Sequence, residues 1–398
     1  MALVVDSHPA PILQATARQR LSVTFASQDP AKVCPLALSQ EAGRERQFPP
    51  VASAVIGTLV HAVIEDATRR GIATIADPAA ALAERCNSWD AASDGGQQWP
   101  QLVPLRRYLV DERRRDAFAT IAAGLAHIGR SIGGSSVRGA GGGPPPRPDP
   151  TRAGHWPEYG FEDVGLGLRG CIDLLISDGN GELVVIDYKT GFDQEAEDQQ
   201  DKRAVYHRQI QVYLLMLSGI HPGASLSGRL IGSHGEDEVP WSDAIAASIR
   251  DHLNRLRAKL SAIGAATTVP SEVACTFCSV RHRCPAYRPW VEATRINGDQ
   301  NFLAGNLWGF IQHPPRICGH QASMTIRDGV GMIHVLNGLV PRDGYQHLIE
   351  GAKVSVYGMK PERDAEGNIK PARLWERRST GRTLCASALI FAGYPTTA

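Results

Sequence analysis

The chain has 398 residues, 43% of them hydrophobic and 21% charged, which is enough to bury a full core in two or three globular domains. Its 42 basic and 41 acidic side chains give a formal net charge of +1. The composition therefore excludes a large net positive charge that would attract nucleic acid to the whole surface. Any basic patch that binds nucleic acid must be local. The sequence has neither a membrane-length apolar run nor a secretion signal, so we expect a cytoplasmic protein without membrane contact. Eight cysteines in such a chain predict thiols or metal ligands and not a disulfide framework.

The N-terminal part is predicted to be mainly helical. Apolar residues recur at helical spacing over 53–70 and again over 105–132. The segment that follows contains GAGGGPPPRPDP and has almost no apolar side chains. Apolar burial therefore cannot offset the conformational entropy that this segment would lose on ordering. We predict a flexible insertion over 133–155.

A β-hairpin and a helix are predicted after this insertion. Two apolar runs, 172–176 and 183–186, flank the turn-forming residues Ser-Asp-Gly-Asn-Gly at 177–181. A helix is predicted over 204–217.

The C-terminal part changes to short alternating stretches that predict five strands, at 307–311, 323–326, 332–336, 354–357 and 384–391. A short helix is predicted at 344–349, between the third and fourth strands. Five strands with turn signals favour a small OB-like β-barrel domain over 303–398. Four aromatic residues in it are candidates for base stacking, with core packing as an equal alternative: Trp308, Phe310, Tyr357 and Trp375.

The second half of the hairpin ends in an acid and a base two residues apart, Asp187 and Lys189. Alternate residues of a strand share a face, so both side chains point the same way. A carboxylate there could hold a hard cation while the ammonium orients water or stabilises phosphate charge, as phosphodiester hydrolysis requires. The alternative is an exposed ion pair at a strand end.

Asp173, on the first half of the hairpin, is a second candidate carboxylate. A two-residue turn would place it on the face opposite Asp187, whereas a loop of three or five residues would pair the two directly. Paired carboxylates repel unless a cation lies between them. We predict the odd loop or a bulge.

Four ordered motifs resemble those of the RecB-like PD-(D/E)XK nucleases, which include the AddB nuclease domain, the CRISPR-associated adaptation exonucleases and the eukaryotic replication helicase-nuclease. The motifs are Gly57-x-x-x-His61, Gly170-x-Ile172-Asp173, Asp187-Tyr188-Lys189-Thr190-Gly191 and Gln209-x-x-x-Tyr213. The resemblance implies an α/β, restriction-endonuclease-like core with a helical N-terminal part, in a nuclease domain over 1–295.

The resemblance also implies roles for the motif residues. His61, Asp173 and Asp187 would bind Mg²⁺ or Mn²⁺, and Lys189 would assist the attacking water. Gln209 and Tyr213 would lie on a helix beside the active site and DNA. By itself, the pattern around His61 favours a surface histidine, and Tyr213 could equally be a packing residue. Relatives have a further acid near the position of Glu158, for which Glu162 competes.

Three cysteines gather in one short segment, Cys275, Cys278 and Cys284. A metal site built from these three thiols needs a fourth ligand. Four thiolates would suit either Zn²⁺ or an iron-sulfur cluster. The resemblance to cluster-bearing relatives supplies Cys34 and implies a [4Fe-4S] cluster that acts as a structural staple. The remaining thiols are isolated and are predicted to be free and buried: Cys86, Cys171, Cys318 and Cys385.

The leading hypothesis is a metal-dependent deoxyribonuclease. The resemblance favours exonuclease action on single-stranded DNA or DNA ends, in repair, recombination or phage defence, with Arg281 and Arg283 as candidate phosphate contacts. The sequence has no Gly-x-x-x-x-Gly-Lys-Ser/Thr phosphate loop, so a separate helicase or defence-system protein is an expected partner. The alternatives are a noncatalytic DNA-binding subunit and a zinc-stapled structural protein.

Overall fold

The structure is a computed structural model. It describes residues 2–5, 20–30, 33–34, 52–72, 75, 77–94, 105, 109, 111–131, 148–190, 200–261, 270–271, 275, 278, 284, 286–296, 306–318, 321–328, 333–339, 348–361 and 379–392. Most of the predicted insertion at 133–155 and of the predicted helix at 344–349 lies outside these residues.

The described elements alternate between helices and strands in the larger, N-terminal part of the chain. The helices are α1 (Val23–Ala26), α2 (Ala52–Arg69), α3 (Pro78–Asp94), α4 (Asp111–Ser131), α5 (Gln200–Ile220), α6 (Asp243–Ser261) and α7 (Tyr287–Ile296). The strands are β1 (Ala2–Val5), β2 (Leu21–Ser22), β3 (Gly154–Asp163), β4 (Leu168–Ser177), β5 (Glu182–Lys189), β6 (Ser225–Gly232), β7 (Gly235–Val239), β8 (Asn306–Cys318), β9 (Gln321–Asp328), β10 (Ile333–Leu339), β11 (Lys353–Pro361) and β12 (Ser379–Ala392).

A mixed six-stranded sheet forms the centre of the N-terminal part. Its order is β2-β4-β5-β6-β7, and β3 pairs with β4. The pairs β2–β4 and β5–β6 are parallel, and the others are antiparallel. The predicted hairpin over 172–186 and the predicted helices over 53–70, 105–132 and 204–217 are confirmed, as β4–β5, α2, α4 and α5.

Helices cover both faces of this sheet. On one face, Leu183 and Val185 of β5 belong to a core that includes the buried side of α5 and residues of α6. On the other, Ile186 and Tyr188 belong to a core built from α2, α3 and α4. Because β5 is buried on both faces, its sequence is a continuous apolar run and does not alternate. The result is a three-layer α/β arrangement.

The loop between β4 and β5 has the odd length that the sequence analysis predicted. Ser177 pairs with Leu183, and the ladder continues to Leu174 and Ile186, so five residues, 178–182, connect the strands. The Asp178 carboxylate accepts hydrogen bonds from the backbone N–H groups of Asn180 (2.7 Å) and Glu182 (3.2 Å). Asp178 therefore holds the loop in the conformation that sets the register of the hairpin.

Gly170, in β4, lies where a side chain has no room. A Cβ atom there would come within 2.4 Å of the Tyr213 ring and 2.8 Å of Val23. We expect Gly170→Ala to lower the free energy of unfolding by about 1–3 kcal/mol, because the added methyl group overpacks the core. Gly160 on the paired strand is the control, since its Cβ would meet nothing closer than 4.0 Å. Urea unfolding of both variants tests this, and equal losses would contradict it.

The C-terminal strands form a second sheet in the order β1-β12-β10-β9-β8-β11, with an additional β11–β12 pairing. Its pairings are mainly antiparallel, and β12 runs parallel to β1 and β10. All five strands predicted in this part are confirmed as β8 to β12. The predicted domain limits of 1–295 and 303–398 stay predictions, but β1 pairs with the C-terminal sheet.

The prediction of a closed OB-like barrel is corrected to a small sheet that is not closed into a barrel. Strand β10 pairs only with the first part of β12, Ser379–Thr383. Along Leu389–Ala392, β12 has β11 on one edge and β1 on the other. Ala2 of β1 pairs with Leu389 of β12, and no local pattern in the sequence could reveal so distant a pairing.

Among the described residues, no helix combines the length and the apolar character needed to cross a membrane.

Candidate metal and active site

The site lies where β4 and β5 end their ladder, between α2 on one face of the sheet and α5 on the other. The last ladder pair is Leu174–Ile186, so the next step in this register places Asp173 opposite Asp187. Asp173 Oδ2 accepts a hydrogen bond from the backbone N–H of Tyr188 at 2.8 Å. The odd loop therefore brings together the two carboxylates that the sequence analysis singled out.

His61, Glu158 and Asp173 form a group that could hold a metal ion. One ligand atom from each lies within 4.8 Å of the other two. The His61 Nε2–H group donates to the carbonyl of Tyr188 at 2.8 Å, which turns Nδ1 toward Asp173 Oδ1, 3.4 Å away. This tautomer leaves the Nδ1 lone pair for a cation. One imidazole nitrogen and two carboxylates form a donor set that suits Mg²⁺ or Mn²⁺.

Glu158 enters this group through an unusual backbone conformation. Among the described non-glycine residues it alone has a positive φ, of 48°. Side-chain-bearing residues adopt this region at a cost and mostly where the surroundings enforce it, often at functional sites. Its competitor Glu162 forms an ion pair with Arg20 instead. The structure thus selects Glu158 as the further acid.

Asp187 and Lys189 lie beside the metal group. Asp187 is 1% exposed, and its Oδ1 accepts a hydrogen bond from Gln209 Nε2 at 3.1 Å. The Lys189 ammonium forms an ion pair with Asp187 Oδ2. It also lies 5.4 Å from the ring centre of Tyr206, which the sequence analysis missed. Tyr206 is one turn from Gln209 on α5, so helical spacing could have indicated it.

The pKa values of three groups in the metal-free site are raised, so these groups bind protons more readily than usual. Burial lowers the pKa of His61, but the Asp173 carboxylate raises it more, to about 9. Burial raises the pKa of Glu158 to about 7, and Asp173 adds to this effect. Burial also raises the pKa of Asp187 to about 6, against the opposing charge of Lys189. A bound cation would reverse these shifts, since it favours the deprotonated ligands.

Gln209 and Tyr213, both predicted to lie near DNA, are buried on α5. Gln209 orients Asp187, as described above. Tyr213 is 3% exposed, and its hydroxyl donates to the carbonyl of Cys171 at 2.6 Å. These contacts support positioning roles, in which α5 holds β4 and β5 in place from one face.

The predicted iron-sulfur ligands do not form a cluster site. Cys34, Cys275, Cys278 and Cys284 are all described, and none of the described cysteines forms a disulfide. The Cys34 thiol is close enough to contribute to the raised pKa of Cys284, for which burial is the main cause. Among the described residues, however, no three thiols come within 4.8 Å of one another, as ligands of one shared metal ion would. Nor are the described cysteines arranged as a cluster for an iron-sulfur centre. The prediction of a [4Fe-4S] cluster is therefore corrected: the fold brings Cys34 near the segment without converging the four thiols.

Several other candidate residues have different outcomes. Arg281 and Arg283 lie outside the described residues. Among the four candidate base-stacking residues, the side chain of Phe310 is described: it is 47% exposed, with the Lys353 ammonium 5.9 Å from its ring centre. Cys86 is buried as predicted, but Cys171 is exposed, contrary to prediction.

Comparison with known protein families agrees with this geometry. The profile of the PD-(D/E)XK nuclease superfamily matches residues 31–285, a range that includes all five residues of the site. The chain belongs to the PD-(D/E)XK nuclease superfamily. Membership of this superfamily implies a metal-dependent phosphodiester nuclease with a nucleic-acid substrate. All strands of the C-terminal sheet, β1 included, lie outside the matched residues.

Similarity to individual proteins is low. The solved structure titled "Crystal structure of SSO0001" is 19% identical, over 33% of this chain and 61% of that chain, with a TM-score of 0.20. The present chain thus spans less than two thirds of that protein. No curated protein matches the sequence.

The two acids of β3 allow a matched test of this PD-(D/E)XK site. We expect Glu158→Gln to weaken Mg²⁺ binding about tenfold or more, because the metal group loses one anionic ligand. Glu162→Gln, four residues along the same strand, should leave Mg²⁺ affinity unchanged. Isothermal titration calorimetry measures both affinities, and equal affinities in the two variants would remove Glu158 from the site.

Proposed function

We propose that this chain is a deoxyribonuclease that hydrolyses phosphodiester bonds with Mg²⁺ or Mn²⁺. The observation that carries the proposal is the adjacency of a three-ligand metal group to the Asp187–Lys189 pair. Structural ion pairs are common in proteins, but they rarely lie beside an imidazole and two carboxylates whose donor atoms converge.

His61, Asp173 and Asp187 would hold the metal ion, with Glu158 as a further ligand. When bound, the ion would polarise the phosphate and lower the pKa of a water molecule. The protein contributes the orientation of these ligands. Tyr188 fixes two of them, since its N–H holds Asp173 and its carbonyl holds His61. Gln209 fixes Asp187 from the opposite face of the sheet.

Lys189 would orient the attacking water or stabilise the charge on the phosphate. Burial lowers the pKa of Lys189, but the carboxylates of Asp187 and Asp173 raise it above its usual value. The ammonium therefore stays charged at neutral pH, as electrostatic stabilisation requires. The Tyr206 ring beside it limits the positions that the ammonium can occupy.

Single-stranded DNA or DNA ends are the proposed substrates, in repair, recombination or phage defence. This part of the proposal is supported by the motif resemblance to RecB-like nucleases. The absence of a phosphate-loop motif from the sequence supports a separate helicase or defence-system protein as partner.

Digestion of labelled DNA tests the proposal. End-labelled linear single- and double-stranded DNA and closed circular DNA would be incubated with Mg²⁺, Mn²⁺ or EDTA. We expect metal-dependent loss of linear DNA and persistence of the circles, and Lys189→Ala should bind Mg²⁺ but cleave poorly. Cleavage of circles would replace the exonuclease proposal with endonuclease action. Binding of DNA without cleavage under any metal would support the noncatalytic alternative.

A further inference from the structure

The C-terminal sheet, which lies outside the residues that match the superfamily, carries a local excess of basic side chains. The whole chain has almost equal numbers of acidic and basic residues. Asp328 is the one acid in the six strands of this sheet, and it is buried in a pair with His334 at 2.8 Å. The same strands contain five lysines and arginines: Arg316, Arg327, Lys353, Lys360 and Arg382. The sheet therefore adds positive charge locally.

One face of this sheet presents an aromatic ring between two cations. Phe310 of β8 pairs with Arg327 on β9 and with Lys353 on β11, and all three side chains are exposed. The next pair along β8 and β9, Ile311 with Ile326, is buried on the other face. Because cross-strand partners lie on the same face, the ring and the two cations form one row across three strands.

The charges in this row are available to a ligand. A half-exposed aromatic ring alone is common at protein surfaces. Here, however, the Lys353 ammonium lies 5.9 Å from the ring centre of Phe310, which is 47% exposed. Among the described residues, neither Arg327 nor Lys353 forms an ion pair with an acid, the exposed Glu350 in the turn before β11 included. The row therefore combines an accessible ring with two unpaired positive charges.

The same face continues along β8 and β9. Arg316 is exposed and pairs with the half-buried Ser323, which shares the face of Arg327 because the two are four residues apart on β9. Four residues of a strand extend about 13 Å. The cations are thus spaced along a path, as the phosphates of a nucleic-acid strand are, and are not gathered at one point.

We propose that this face of the C-terminal sheet binds single-stranded DNA, with a base stacked on Phe310 and phosphates bound by Arg327, Lys353 and Arg316. Proteins hold single strands by stacking bases on aromatic rings while cations follow the backbone. A duplex keeps its bases stacked inside, so it cannot use the ring. The choice of DNA rests on the proposed function, whereas single-strand binding rests on the row itself.

Binding of a labelled oligo-dT of about 15 nucleotides, measured by fluorescence anisotropy in EDTA, tests the surface without cleavage. We expect Phe310→Ala to weaken binding about fivefold or more and Phe310→Tyr to restore it, because an aromatic ring stacks on a base. Phe310→Leu should bind as poorly as Phe310→Ala, which separates stacking from apolar contact. Equal affinity of wild type and Phe310→Ala would overturn the proposal. A preference for oligo-U over oligo-dT would overturn the assignment to DNA.

Salt dependence separates the cations from the ring. For single strands, each phosphate contact adds about 0.7 to the slope of log affinity against log salt concentration. We expect Arg327→Gln and Lys353→Gln each to reduce the slope by about 0.7, and Phe310→Ala to leave it unchanged. Arg250→Gln, which removes an exposed charge on α6, is the matched control and should keep the wild-type slope. The same slope in all of these variants would contradict the proposal.

Crosslinking locates the bound strand without a substitution. An oligonucleotide with 5-iodouracil in place of thymine, irradiated in the near ultraviolet, should crosslink to the peptide that contains Phe310, as read by mass spectrometry. Crosslinks confined to peptides of residues 31–285 would overturn the proposal. If a dimer is lost in Phe310→Ala while DNA affinity is unchanged, the face is an interface between copies of the chain and the proposal falls. If Phe310 crosslinks but no metal supports cleavage, the nuclease function falls and the binding surface stands.

Discussion

Replacing Asp187 by alanine is expected to slow metal-dependent DNA cleavage by at least about 1000-fold. The substitution removes a proposed metal ligand and also leaves the partly buried Lys189 ammonium without its ion-pair partner. Both effects act on the reacting phosphate. Loss of the ligand displaces the metal ion, and loss of the ion pair moves the Lys189 ammonium away from its position beside the phosphate. Single-turnover cleavage at saturating Mg²⁺ measures the loss.

Asp237 provides a matched control for this substitution. It is also a buried aspartate, on β7, which β6 separates from β5. It accepts hydrogen bonds from Arg203 (2.7 and 2.8 Å) and pairs with His207 (2.7 Å). Asp237→Asn weakens a comparable charged cluster outside the metal group. We expect it to lower thermal stability but to retain at least about a tenth of the cleavage rate. Similar activity losses in the two variants would mean that Asp187 acts through stability alone.

Mg²⁺ binding is expected to strengthen about fiftyfold between pH 7 and pH 9. The pKa of His61 is raised from 6.5 to about 9 by the Asp173 carboxylate, in spite of burial. Below pH 9 a metal ion must therefore displace the imidazolium proton, which changes the affinity about tenfold per pH unit. Calorimetry in two buffers of different ionisation enthalpy, at pH 8, should show about one proton released per Mg²⁺.

The His61 proton also contributes to the stability of the protein without metal. Because the folded pKa of His61 lies above the unfolded value, its contribution to stability is complete below pH 6.5 and is lost as the pH rises through about 9. The melting temperature in EDTA should fall over this pH range. The increase in melting temperature on addition of Mg²⁺ should be larger at pH 9 than at pH 7. His61→Ala should remove most of the proton release, and an unchanged release would assign it to another group.

Local patterns in the sequence predicted three helices and the central hairpin of the N-terminal part, and most residues of the candidate site. The apolar periodicity predicted α2, α4 and α5. Strand β5, which is buried on both faces, was predicted from its continuous run of apolar residues. An odd loop or a bulge was predicted between β4 and β5, because carboxylates on opposite faces cannot share an ion, and the loop has five residues. These features depend on residues close together in the chain or on strands joined by a short loop.

Tertiary structure decided what depends on distant segments. Glu158 and Glu162 are equivalent in sequence, and only the left-handed backbone at Glu158 and the Arg20 ion pair at Glu162 separate them. Likewise, β1 pairs with the distant strand β12 in a sheet that is not closed into a barrel. The four cysteines do not converge, although their spacing favours a cluster. The sequence by itself determined which side chains could bind a metal ion. Their distances, burial and charges depend on packing between segments more than a hundred residues apart, which no local pattern records.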